Sequence, residues 1–94
     1  MNYNNNNLQT TQLKLKIISK ERNENLKRHD NLQRAIEGYK ARLINLKNEM
    51  TAEEIKQMKD NLEEKEIILF VVKQIIDLLT TLYNHENDLI KKFD

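Results

Sequence analysis

The chain has 94 residues, enough for one domain, with no proline, no cysteine, a single glycine and a third of its residues charged. Without cysteine it has no disulfide, thiolate metal site or thiol nucleophile, and with no proline and one glycine it has little turn chemistry from which to build a sheet. The net charge of +1 hides an asymmetry: residues 11–42 carry nine Lys/Arg against four Asp/Glu, and residues 43–94 carry seven against eleven. Opposite signs in the two halves point to halves that lie side by side.

The chain opens on an asparagine tract around Tyr3. Asn side chains compete with the backbone for helix hydrogen bonds, and the tract has nothing apolar to bury, so residues 1–7 are expected to be a disordered tail. The start lacks the basic and apolar segments of a secretory signal. The longest apolar run, Ile67–Val72, is six residues, far below the ~18 that span a bilayer. The expectation is an intracellular protein, cytoplasmic or nuclear, that does not cross a membrane.

A first helix is expected over about 8–49. Leu32, Ile36, Tyr39, Leu43, Leu46 and Met50 recur at 4-3-4-3-4 spacing, a heptad seam. Continued backwards in register, the seam reads Leu15, Ile18, Arg22, Asn25 and His29, so its middle is polar. A bend near Ser19–Asn25 is the alternative to one long helix.

Met50-Thr51-Ala52-Glu53-Glu54-Ile55 is the strongest local signal. Thr51 is placed to cap a second helix, Glu54 to reach back to the Thr51 amide, and Met50 and Ile55 to form a hydrophobic staple. The second helix is expected over about 52–92, with Glu53 and Glu54 at the positive end of its dipole and Lys91 and Lys92 at the negative end. Its seam runs Ile55, Met58, Leu62, Lys65, Leu69, Val72, Ile76, Leu79, Tyr83, Glu86, Ile90 and Phe93. The stretch Ile67–Tyr83 holds twelve large apolar residues in seventeen positions. Beside the seam runs a second stripe of Ile68, Val71, Ile75, Leu78, Leu82, His85 and Leu89, so the apolar arc is wider than a two-helix seam needs. Ile67 and Phe70 fall outside even this arc.

Folding the helices back about Met50–Ala52 sets residues whose numbers sum to roughly 101 opposite one another. Leu46 then meets Ile55, Leu43 meets Met58 and Tyr39 meets Leu62. Farther along, Val72, Ile76 and Leu79 meet His29, Asn25 and Arg22, the most apolar part of one helix against the most polar part of the other. The second stripe has no neighbour in this arrangement. The expected fold is all-α, a long two-helix antiparallel hairpin or coiled coil, completed as a helical bundle by oligomerisation or a partner chain. The hairpin seam is assigned to Leu32, Ile36, Tyr39, Leu43, Leu46, Ile55, Met58, Leu62 and Leu69. The protein interface is assigned to Ile68, Phe70, Val71, Ile75, Leu78 and Leu82.

No enzyme signature is present. His29 and His85 are two ligands where a metal site needs three or four. The pairs Glu53-Glu54 and Glu63-Glu64 point about 100° apart on a helix, which suits capping and solvation better than acid–base work. The basic cluster of Lys14, Lys16, Lys20, Arg22, Lys27 and Arg28 lacks interleaved aromatics to stack on bases, so pairing with the acidic second helix is favoured over nucleic acid. No metal, cofactor or small-molecule substrate is expected. The reading is a non-catalytic scaffold, adaptor or assembly subunit that contacts itself or a helical partner. One alternative is a small helical chaperone, comparable in layout with tubulin-binding cofactor A or the arms of prefoldin; another is a basic-helix nucleic-acid binder.

Overall fold

The computed structural model of the chain describes residues 2–92, with side chains from residue 8 on. It is all helical: α1 spans Asn2–Asn45, a short 3-10 turn spans Lys47–Glu49, and α2 spans Ala52–Lys91. The two helices pack against each other. No strand occurs among the described residues, so the β-branched run at Ile67–Val72 is part of a helix. Met1, the first residue of the expected tail, and Phe93, the last seam position, lie outside the described residues.

Two boundaries differ from expectation. α1 begins at Asn2, so positions 2–7 of the asparagine tract lie within its bounds. Asn is a mediocre helix former, but extending an established helix costs far less than starting one. At the other end α1 stops at Asn45, not about 49, because the backbone tightens into the 3-10 turn. The helix is unbroken through Ser19–Asn25, where a bend was the alternative.

The reversal between the helices uses no left-handed residue. Leu46 N–H donates to the Arg42 carbonyl (2.8 Å) and Glu49 N–H to the Leu46 carbonyl (3.0 Å). Met50 is extended (φ −105°, ψ 145°), and α2 starts two residues later. No glycine stands at this reversal and none is needed, because the chain turns through conformations open to any L-residue.

Thr51 caps α2. Its hydroxyl accepts from the Glu54 N–H at 3.1 Å and donates to the Glu54 carboxylate at 3.1 Å. The carboxylate therefore accepts from the cap's hydroxyl rather than from the Thr51 amide expected of a capping box. Thr51→Ala is expected to destabilise the chain by about 1 kcal/mol, lowering Tm by roughly 4–8 °C in a circular-dichroism melt, with Thr51→Ser restoring it. A Thr51→Ala variant that melts like the parent would show that the cap contributes nothing.

The chain divides into two compact units. In the turn unit, Lys27–Lys73, the seam residues Leu32, Tyr39, Leu43, Met50, Ile55, Met58, Leu62 and Leu69 are half-buried, and Ile36 and Val72 are buried. Val72, 1% exposed, is the most buried large side chain described. It lies deep in the seam although the heptad register sets it near half-buried His29. Leu46, beside the turn, is exposed. Lys65 keeps its seam position by laying its ammonium over the Tyr39 ring, 5.6 Å from the centroid. Lys40 and Glu66 pair across the helices at 3.5 Å.

In the terminal unit, residues 2–26 with 74–92, Leu15, Ile18, Ile76, Leu79, Tyr83 and Ile90 are half-buried, and Thr11 is buried. The polar seam residues are accommodated one by one. Arg22 Nε donates to the Thr80 hydroxyl at 2.9 Å, and that hydroxyl donates to the Ile76 carbonyl at 2.8 Å. Asn25 turns its amide back to the Glu21 carbonyl, 2.8 Å away. Glu86, whose side chain is 12% exposed, has Lys14 Nζ 3.8 Å from one carboxylate oxygen. Its other oxygen is buried without a hydrogen-bond partner among the described residues.

Candidate interaction surface

The surface is built by helical arithmetic on α2. At about 100° per residue, a residue one position before a seam residue stands to one side of the seam, and a residue one position after stands to the other. Ile68, Ile75 and Leu82 precede the seam residues Leu69, Ile76 and Tyr83; Val71 and Leu78 precede Val72 and Leu79. Ile68 and Val71 therefore share one flank of α2 within the turn unit, and Ile75, Leu78 and Leu82 share one within the terminal unit. In the turn unit Ile68 is half-buried and Val71 exposed; in the terminal unit Ile75, Leu78 and Leu82 are exposed, Leu78 by 60%.

Phe70, assigned from the sequence to the same surface, is the exception. It follows Leu69, about 200° around the helix from Ile68, and stands on the other flank with its side chain 64% exposed. That flank is otherwise polar: Glu66, Lys73, Asp77, Thr80 and Asn84. Ile67 is also exposed, on the side of α2 turned away from the seam. The α1 residues Leu13, Ile17 and Ile44 are exposed too, a feature that the heptad reading of α1 did not single out; Ile17 does precede seam residue Ile18.

Two shallow cavities open on the turn unit. One, of about 250 Å³, is lined by Tyr39, Met50, Glu54, Gln57, Met58 and Asn61. The other, of about 280 Å³, is lined by Ala35, Gly38, Tyr39 and Arg42. A Cβ built on Gly38 would meet nothing within 4 Å, so this glycine faces open space. Neither cavity carries a histidine or a cluster of acids; each is a gap between side chains beside the seam.

The candidate chemical groups do not converge. No three His, Cys, Asp or Glu side chains among the described residues are placed to hold a metal ion. His29 is half-buried in the turn unit and His85 is exposed in the terminal unit. Glu53, Glu54, Glu63 and Glu64 are all exposed, with Glu54 occupied at the cap. Of the basic cluster, Lys14 and Arg22 are engaged by Glu86 and Thr80 on α2, while Lys16, Lys20, Lys27 and Arg28 are exposed. No helix among the described residues is long and apolar enough to cross a membrane.

The most coherent surface is thus an apolar flank of a helix, a shape that suits another helix laid alongside it. No family model, no curated protein and no solved structure matches this chain.

Proposed function

We propose that this chain is a non-catalytic assembly subunit that works through helix–helix contacts, with the α2 flank of Ile68, Val71, Ile75, Leu78 and Leu82 as its docking surface and Phe70 as an outlying contact. The observation that carries the reading is the exposure of Ile75, Leu78 and Leu82 on one flank of α2 in the terminal unit, with Val71 exposed in the turn unit. A large apolar side chain forgoes roughly 1.5–3 kcal/mol when it stays in water instead of being buried. Apolar surface gathered on one side marks an interaction site more often than scattered apolar residues do.

The reading is tested on the purified full-length chain by light scattering at micromolar concentration. The expected result is a dimer or larger species, or a stable complex once the chain is co-expressed with a helical partner. A soluble, stable monomer that forms no such complex would overturn it.

A further inference from the structure

The two units are held together by different means. Both apolar side chains that are buried among the described residues, Ile36 and Val72, belong to the turn unit. There the chain itself also joins α1 to α2. In the terminal unit the buried residue is Thr11, a polar one, and the apolar seam residues Leu15, Ile18, Ile76, Leu79, Tyr83 and Ile90 are half-buried.

The polar groups of this seam add little grip. The Glu86 side chain is largely out of water, yet Lys14 Nζ stands 3.8 Å from one carboxylate oxygen, and the other oxygen is buried without a hydrogen-bond partner among the described residues. A buried acceptor left unpaired favours any state that returns it to water. The Lys14 side chain is 56% exposed, so it keeps its own water with or without Glu86. Asn25 gives its amide to Glu21 of its own helix. Arg22 does reach across to Thr80, at 2.9 Å, but a hydrogen bond that water replaces on opening adds only modest net stability.

Folded chains open in cooperative blocks, and those with little apolar burial open most readily. We propose that the terminal unit opens as one step, α1 leaving α2 over residues 8–26 and 74–91, while the turn unit stays folded. Opening hydrates Glu86 and uncovers Ile76, Leu79 and Tyr83 beside Ile75, Leu78 and Leu82, which the closed unit already exposes. In this unit α1 is thus a removable cover, and the apolar face of α2 has a narrow closed form and a wide open one. The step needs no partner, so it stands apart from the assembly role.

The test is peptide-resolved hydrogen exchange on the full chain carrying Leu78→Asp. Leu78 is exposed, and the substitution keeps a docked chain from adding protection of its own. Amides over residues 8–26 and 74–91 are expected to exchange together, about tenfold or more faster than the seam amides of the turn unit. Two further substitutions are then added one at a time. Glu86→Leu removes the buried carboxylate, and replacing a buried charge by an apolar side chain is often stabilising. Asn25→Leu places an apolar side chain at a half-buried seam position at the other end of the unit. Each should slow the whole block severalfold, Glu86→Leu as far as residue 26 and Asn25→Leu as far as residue 8. With two sites, a misfit at one leaves the other to report.

Equal exchange in the two units overturns the proposal. So does exchange that slows smoothly from the chain ends inward, which is fraying of helix ends and not one opening. If neither added substitution slows the block as a whole, the polar seam does not govern its opening and the proposal falls as well.

Discussion

Replacing Leu78 by Asp, or Ile75 by Asp, is expected to abolish assembly while leaving the hairpin folded. Leu78 is 60% exposed and Ile75 36% exposed, so in the isolated chain a carboxylate at either position stays hydrated. In an assembled flank the same carboxylate loses its water. Stranding an unpaired charge costs about 3–5 kcal/mol, and the lost apolar burial adds about 1.5–3 kcal/mol. The association constant should fall by about three orders of magnitude or more, enough to turn a micromolar assembly into a monomer. Leu43→Ala is the control, since Leu43 sits half-buried in the turn unit. It should lower Tm in a circular-dichroism melt and leave the mass by light scattering unchanged. If Leu43→Ala and Leu78→Asp disrupt assembly equally, the hairpin seam is the interface.

The two adjacent valines give the second contrast. Val72 is 1% exposed and Val71 49% exposed, one helical step apart. Val72→Asp puts a carboxylate at a fully buried seam position of the turn unit. Burying an unpaired charge is among the few single changes that exceed about 4–5 kcal/mol, comparable with the whole stability of a small domain, on the order of 5–15 kcal/mol. The expected result is loss of the cooperative melt and of most helix content. Val71→Asp should keep both, while weakening assembly. Equal losses of helix content for the two variants would show that α2 does not hold the orientation described.

How much of this was readable beforehand follows from what each feature depends on. The helices and the cap at Thr51 depend on residues within one or two turns of each other, and the spacing shows them directly. The register read from Leu32 to Met50 also picks out half-buried Arg22, Asn25 and His29, whose polarity alone would have placed them outside. Heptad position here outweighs residue type. What the spacing could not show was the means of accommodation. The Arg22 bond to Thr80 depends on the reach of a long side chain to a residue beside the seam, not in it. Likewise the Lys65 ammonium over Tyr39 needs the relative height of two helices. For the candidate surface, the spacing indicated which residues share a flank. It included Phe70 on hydrophobicity, although the same helical arithmetic sets it on the other flank.

The reversal between α1 and α2 has a practical side. Lys47, Asn48 and Glu49 are all exposed, and their backbone uses no conformation reserved for glycine. The entry to α2 is held by Thr51 and Glu54, after these residues, and the end of α1 by the Leu46 amide, before them. Exposed segments that carry no packing are where chains tolerate additions best. A peptide tag or a dye-bearing insert between Lys47 and Glu49 would ride outside both the seam and the apolar flank of α2. The chain thus offers a handle by which it can be tracked, immobilised or fused without disturbing either surface.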